Sequence, residues 1–299
     1  MKRILLIISI VFIPFWAIAQ TFKPYTIGVV NEKPVSEMKS AVASALQANN
    51  FNLVGEYMPA EDKARWILIV THDELLKAAE KEGGLRGFAA TLRIAITKEE
   101  GKTIVSYTSP EYWGRAYYQD SFDNVSKNYE AVSFDFIDMM STLGSYDGSL
   151  FGSEKGLDAN DLLKYHYMLG MPYFDDTEEL EDFDSQAEAI KKIEANLKAG
   201  VANVKQVYKV EIANGDMVLY GFALGGEDGE SKFLPIIDIG TPKHTAFLPY
   251  ELLVVDGEVH ILHGRFRIAI AFPDLTMGTF TKIMSTPGEI EETLEAVVD

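Results

Sequence analysis

The sequence has 299 residues, and its 45 acidic and 27 basic side chains give a net charge of −18 at pH 7. Because nucleic-acid binding needs a basic face, this acidity argues against a nucleic-acid partner. The chain has no cysteine, which excludes disulfides, iron–sulfur clusters, thiolate zinc sites and thiol nucleophiles. A hydrophobic share of 47% is typical of a chain with a packed core and not of a disordered one.

Residues 1–19 are predicted to be a cleaved export signal. Lys2 and Arg3 supply its positive end, residues 4–16 its apolar stretch, and residues 17–19 a small-residue cleavage site. An uncleaved anchor is the alternative, although the apolar stretch is shorter than the roughly 20 residues that span a bilayer. A bacterial lipid anchor would need a cysteine after the cleavage site, and the sequence has no cysteine. Loss of Lys2 and Arg3 leaves 25 basic and 45 acidic groups, so we expect a soluble periplasmic or secreted protein of net charge −20 without a transmembrane segment.

Residues 20–144 are predicted to form a first α+β unit. Apolar periodicity, capping residues and turn residues define its elements. In chain order these are a helix over 35–49, strands over 51–57 and 66–70, a helix that Thr71 caps and Gly83 ends, a hairpin over 91–107 that turns at Glu100-Gly101, and a long helix that Gly144 ends. The two-residue period of a strand places Leu92, Ile94 and Ile96 on one face of the hairpin.

Residues 145–184 are predicted to be a linker. Glycines interrupt its first part, and a short helix is expected near residues 158–169. Residues 173–184 contain seven acidic side chains and no basic one. Their oxygens suit calcium, but the run lacks the spacing that wraps a chain around the ion. The interpretation favoured here is a solvated linker.

Residues 185–299 are predicted to form a second α+β unit with the same succession of elements. A capping box opens its first helix at Ser185, strands follow over 207–212 and 217–224, a hairpin over 248–262 turns at Asp256-Gly257, and the segment 286–289 starts a final helix. The two hairpin turns lie 156 residues apart. The repeated order predicts an internal duplication, joined by the acidic linker. An identical Arg-Ile-Ala-Ile tetrapeptide at residues 93–96 and 267–270 would misalign the turns, so we treat it as chance.

Several segments resemble the bacterial family called domain of unknown function 302. These are the helix-to-strand segment 45–57, the hairpin 248–261, the proline-containing segment 109–117 and the closing helix 286–298. The resemblance is one of pattern and extends over most of the mature chain as two divergent copies. It implies a small α+β sandwich that tends to pair with itself, and it implies no activity.

The histidines do not form a recognisable metal or catalytic motif. His72 lies at a helix start, and a zinc-binding helix would need a second histidine where Leu76 stands. His260 and His263 are three apart, and on a strand such side chains point to opposite faces. The register places His260 beside Leu253 on the neighbouring strand. No serine elbow or glycine-rich phosphate loop with lysine is present. We therefore expect no catalytic residue, metal or cofactor.

An aromatic segment after the first hairpin supplies the candidate ligand or interface residues. They are Tyr112, Trp113, Arg115, Tyr117 and Tyr118. Flat apolar rings beside an arginine suit an interface or a small-ligand pocket. The alternative is that the rings fill the core between the hairpin and the closing helix.

These features favour an exported, non-enzymatic binding or assembly module. Its partner would be a second copy of the chain, an envelope protein or a small ligand. The alternative is an extracytoplasmic hydrolase that uses carboxylates the sequence does not identify, and a third reading is a purely structural pairing module. An enzyme should have a concave pocket with several polar groups of shifted pKa, whereas a binding module should have an exposed apolar patch.

Overall fold

The computed structural model describes residues 20–200 and 203–299, so the predicted export signal lies outside the described residues. The strands in this range are β1 (Thr21–Phe22), β2 (Tyr25–Asn31), β3 (Phe51–Tyr57), β4 (Arg65–His72), β5 (Leu92–Glu99), β6 (Lys102–Thr108), β7 (Leu150–Phe151), β8 (Leu157–Asp158), β9 (Glu178–Asp182), β10 (Val204–Ile212), β11 (Met217–Leu224), β12 (Tyr250–Val255) and β13 (Glu258–Ile261). The α-helices are α1 (Val35–Ala48), α2 (Asp73–Glu82), α3 (Pro110–Tyr118), α4 (Phe122–Leu143), α5 (Ala159–Leu163), α6 (Gln186–Ala199), α7 (Glu230–Ile237), α8 (Gly264–Ala271), α9 (Met277–Phe280) and α10 (Thr286–Glu295).

The fold is α+β, as the sequence predicts. One sheet has the strand order β3-β4-β5-β6-β2-β7, and a second has the order β10-β11-β12-β13-β9. Strands β1 and β8 form a small separate pair. All of these pairings are antiparallel. Among the described residues, no helix is both long enough and apolar enough to cross a bilayer.

The two main sheets follow the same path. In each, the first strand in the chain lies beside the last strand of the hairpin, and the strands between them follow in sequence order; the short β7 extends the first sheet beyond β2 and has no counterpart in the second. A helix follows the first strand in both sheets (α1 and α6), and another precedes the hairpin (α2 and α7). This correspondence is what a duplicated unit would produce. The duplication itself stays a prediction.

Both hairpins turn as the sequence predicts. Glu100 and Gly101 have φ of +47° and +83°, and Asp256 and Gly257 have φ of +55° and +96°. A two-residue turn with both central residues at positive φ matches the twist of the strands it joins. The two turns connect strands that hold the same place in their sheets.

The central strands of the first sheet are covered on both faces. Ile94 lies opposite Tyr107 on the neighbouring strand, and the Tyr107 ring stacks on Phe136 of α4 with centroids 4.4 Å apart. Side chains alternate between faces along a strand, so Arg93 points away from this helix. Arg93 is nevertheless 1% exposed, because it contacts Glu251 of β12 in the second unit. The second unit therefore covers the face of the first sheet that its own helices leave open.

The acidic linker prediction is wrong for residues 178–182. They form β9, which pairs with β13 at the edge of the second sheet. Its side chains are half-buried or exposed, because an edge strand uses one side for pairing and leaves its acidic groups in water. Charged residues of this kind also protect an edge strand from pairing with other chains. The second sheet thus begins before Ser185.

The linker helix is shorter than predicted. It ends at Leu163 and not near Leu169. After Leu163 the chain leaves the helical path, and the hydroxyls of two tyrosines form hydrogen bonds to carbonyls of the second unit. The hydroxyl of Tyr165 donates to the carbonyl of Ala269 at 2.9 Å, and that of Tyr167 donates to the carbonyl of Leu275 at 2.9 Å.

The predicted capping residues are partly correct. Ser185 accepts the amide of Glu188 at 3.3 Å, which confirms Ser185 as the N-cap of α6. Thr71 does not cap α2, because it lies on β4 and its hydroxyl donates to the carbonyl of Ala90. His72 takes its place, and its Nδ1 accepts the amide of Glu74 at 3.0 Å.

Candidate functional site

The predicted aromatic candidates lie in the interior. They belong to α3, a helix that the sequence analysis did not assign, and Tyr112, Trp113, Tyr117 and Tyr118 are each at most 3% exposed. Tyr112 donates to the carbonyl of Ile270 on α8 at 2.8 Å. These four rings therefore pack inside the chain, partly against the second unit, and do not form an exposed face.

The remaining candidate, Arg115, is half-buried and already has partners. Its guanidinium donates to Glu111 one helical turn earlier at 2.6 Å. It also lies 4.8 Å from the ring centroid of Phe22 and 4.6 Å from that of Phe122. A guanidinium between two ring faces is stabilised by the negative charge density of the rings. Arg115 therefore stabilises the packing of α3 against Phe22 and Phe122.

Three charged side chains meet in the interior between the two units. Arg93 of β5 and Arg267 of α8 flank Glu251 of β12, and all three are at most 4% exposed. Arg93 forms an ion pair with Glu251, and Arg267 lies 4.0 Å from the same carboxylate oxygen. Arg267 also lies 5.1 Å from the ring centroid of Trp113. We call these three residues the charge cluster.

Hydroxyl groups complete the surroundings of Glu251. Tyr208 of β10 donates to one carboxylate oxygen, and Thr91 donates to the same oxygen at 3.2 Å. Burial is the largest influence on the pKa of Arg93 and acts to lower it, but Glu251 and nearby tyrosines together raise that pKa above its ordinary value. Burial and the Glu251 charge raise the pKa of Tyr208. Arg93 therefore stays positively charged and Tyr208 stays neutral at any ordinary pH.

A second ion pair joins the units at Arg65 and Asp238. Arg65 Nη1 lies 2.6 Å from Asp238 Oδ2, and its Nε lies 3.0 Å from Asp62. Asp238 is 1% exposed and also accepts the Thr245 hydroxyl at 2.7 Å and the His244 amide at 2.6 Å. Both oxygens of the Asp238 carboxylate therefore accept hydrogen bonds from groups of the protein.

Glu230, at the start of α7, is a third buried carboxylate at the boundary between the units. It accepts the Tyr57 hydroxyl at 2.8 Å and the Ala60 amide at 2.9 Å, both from the first unit. Burial is the largest influence and raises the pKa of Glu230 to about 7, while the hydrogen bonds from Ala60, Tyr57 and Leu224 act in the opposite direction. The carboxyl group is therefore partly protonated at neutral pH.

The histidines do not converge. His260 lies opposite Leu253, as predicted, and its Nε2 is 3.0 Å from Glu258. His263 is the residue before α8, and its Nδ1 accepts the Arg265 amide at 3.1 Å. Within residues 20–200 and 203–299, no group of three histidine or carboxylate side chains is arranged to hold a metal ion.

The interior offers little room beside the charge cluster. A cavity of about 10 Å³ borders Glu251, Arg267 and Tyr250. A volume of this size corresponds to about one water molecule. In the described part of the chain, the space next to these ionised groups therefore holds about one water molecule, and the geometry suits the joining of two units.

A surface crevice is lined almost entirely by apolar side chains. Met168, Met171 and Met277 lie along it, and Ile268 and Ala269 of α8 form its buried floor. Its volume is about 60 Å³. Met168 is 44% exposed and Met277 is 53% exposed, so a ligand has direct access. We call this feature the methionine crevice.

Tertiary hydrogen bonds hold the walls of the crevice. Tyr165 ties the linker to the carbonyl of Ala269, and Tyr167 ties it to the carbonyl of Leu275. The amide of Met171 donates to the carbonyl of Met168 at 3.0 Å, which turns the chain so that both methionines line the crevice. The sequence analysis missed this site because its residues lie about 100 positions apart. The local signal was the apolar run at residues 167–171, at the end of the short helix predicted within the linker.

Comparisons with known proteins do not identify the chain. A scan against protein-family models and a search of curated proteins each found no match. The resemblance to the family of unknown function stays a prediction.

We expect Trp113→Ala to destabilise the fold. Trp113 is 3% exposed, and its indole nitrogen donates to the carbonyl of Pro24 at 2.8 Å. Removal of a buried tryptophan costs about 3–5 kcal/mol, measurable by urea unfolding. Phe134→Ala is the control, since Phe134 is 59% exposed and should change stability by less than about 0.5 kcal/mol. A small stability loss in Trp113→Ala, together with altered self-association, would favour the surface interpretation instead.

We expect Glu230→Gln to change the pH dependence of stability. The pKa of Glu230 is about 7 in the folded protein, above its ordinary value of 4.5, so the folded state binds more protons than the unfolded state between these two pH values. The contribution of Glu230 to the free energy of unfolding is therefore fully present below pH 4.5. It falls by about 3 kcal/mol as the pH rises through 7. Relative to the unsubstituted protein, the variant should gain that amount between pH 4.5 and pH 8 in urea unfolding.

The control for this change is Glu227→Gln, an exposed carboxylate three residues earlier. It should keep the pH dependence of the unsubstituted protein. An unchanged pH dependence in Glu230→Gln would show that Glu230 is ionised in the folded state without cost.

Proposed function

We propose that the protein is an exported, non-enzymatic binding module that holds a small apolar ligand in the methionine crevice. The observation that carries this proposal is an accessible concave surface whose lining is almost wholly apolar. Concave apolar surfaces with few polar groups are the usual form of small-molecule sites. Elsewhere in the described residues, the buried charged groups of the charge cluster and of Arg65 and Asp238 face each other.

Three methionines suit the site to ligands of varied shape. Their side chains are unbranched, flexible and polarisable, so they adjust to an irregular apolar surface. The burial of ligand methylene groups contributes about 0.8 kcal/mol each. A crevice of this kind gains affinity from apolar contact and needs no ionised group to hold the ligand.

The other roles predicted from the sequence have less support. A hydrolase centred on the charge cluster would need a space for substrate beside it, and the cavity beside Glu251 is the size of a water molecule. A pairing role for the aromatic segment would need exposed rings, and Tyr112 and Trp113 are buried within the chain.

Methyl NMR of methionine tests the proposal directly. Decanol, an uncharged probe with an unbranched chain, should shift the methyl signals of Met168, Met171 and Met277. The signals of Met284, which is exposed outside the crevice, and of Met38, which is buried in the core, should not move.

A matched pair of variants controls for general effects of charge and exposure. Met277→Asp removes an apolar side chain from the crevice and should weaken decanol binding by at least about four-fold, because the ligand loses apolar contact equal to at least one buried methylene. Met284→Asp makes the same change at a methionine that is 60% exposed and does not line the crevice, so binding should be unchanged. Equal shifts at all exposed methionines, or equal loss in both variants, would contradict a site at the crevice.

A further inference from the structure

The methionine crevice carries a positive charge at its rim. Arg265 is the second residue of α8, is exposed, and is the charged residue among those that line the crevice in the described part of the chain. Two residues before Arg265, the His263 ring lies 3.4 Å from the Glu178 carboxylate. The Arg265 guanidinium itself makes no ion pair with any residue in the described ranges, so it is free to meet an anionic group on a ligand.

We propose that the methionine crevice selects medium-chain fatty acids, with the alkyl chain along the methionines and the carboxylate at Arg265. This inference rests on the proposed function, because it specifies the ligand class of the same site. An exposed arginine next to an apolar lining recognises a ligand with one apolar part and one anionic end. The planar guanidinium can donate two parallel hydrogen bonds to a carboxylate.

The size of the crevice favours an unbranched chain. Its volume of about 60 Å³ corresponds to a few water molecules, at the roughly 10–15 Å³ that one water needs in such a cavity. A thin alkyl chain enters such a space in part and continues along the exposed side chains of Met168 and Met277.

The charge of the protein favours a single negative group over several. The chain carries a net charge of −18, and phosphate esters with two charges are repelled more strongly than a carboxylate with one. The same acidity opposes docking on an anionic bilayer, which attracts basic surfaces. A free fatty acid therefore fits both the local charge at Arg265 and the overall charge better than a lipid surface.

A comparison of three probes with the same alkyl chain tests the proposal. Decanoate, decanol and decyltrimethylammonium differ in head-group charge, and each is titrated below its micelle concentration while the methionine methyl signals are followed. Decanoate should bind tightest and the cation weakest. One exposed ion pair should separate neighbouring members of this order by roughly two- to five-fold in dissociation constant.

Charge reversal at the rim should reverse the order. In Arg265→Glu the cation should bind tightest and decanoate weakest, whereas decanol affinity should stay within about two-fold. The substituted residue is exposed and lies in the first turn of α8, where a negative side chain is compatible with the helix dipole. Lys102→Glu is the matched control, because it changes the net charge equally at an exposed position of β6 outside the crevice, and it should keep the original order.

Each outcome has a definite meaning. Equal affinity for decanoate and decanol, or an order that Arg265→Glu does not change, would overturn the fatty-acid proposal while decanol binding still supported an apolar site. Failure of all three probes would overturn both the proposed function and this inference. Binding of decanoate-coated vesicles but not of free decanoate would identify a lipid surface as the ligand and would also overturn it.

Discussion

A buried ionic contact between Arg93 and Glu251 sets the arrangement of the two units. Both side chains are almost fully inaccessible to water, and the removal of either partner would leave an uncompensated charge in the interior. Breaking a buried pair in this way costs about 3–5 kcal/mol. Because the two residues are 158 positions apart, their contact requires both hairpins to be formed and correctly placed. The contact therefore links local strand formation to the tertiary arrangement.

The proposed division between structural and functional surfaces follows from α8. Arg267 on this helix points into the charge cluster, where it contacts Glu251 and the Trp113 ring. Arg265 and Ala269 of the same helix line the methionine crevice. One short helix thus contributes to the interior and to the proposed ligand site. A ligand in the crevice would contact a helix whose position depends on the charge cluster.

The sequence predicts local elements well because their signals are local. The turn at Asp256-Gly257, the cap at Ser185 and the apolar stripe of α4 each depend on residues within a few positions of one another. Such local patterns do not predict contacts between residues that are far apart in the sequence. In β5 the alternation of Ile94 with Arg93 reads as one buried and one solvated face, and nothing nearby shows that Glu251 will cover Arg93. The aromatic rings of α3 read equally as surface or core, since the covering helix α8 is distant in sequence. The sequence does not predict the methionine crevice for the same reason, because its lining residues come from segments far apart in the chain.

The most direct test of this account is the unfolding of Glu251→Gln, followed by two signals in the chain without residues 1–19. Trp66 and Trp113 both lie in the first unit, and Trp113 also contacts Arg267 of the second, so indole fluorescence reports mainly the first unit, whereas far-ultraviolet circular dichroism reports both. The account predicts that both signals share one transition in the unsubstituted protein and shift together in the variant, with a loss of about 3–5 kcal/mol. A fluorescence transition that stays in place while circular dichroism gains a separate step would show that the units fold independently, and it would contradict the account.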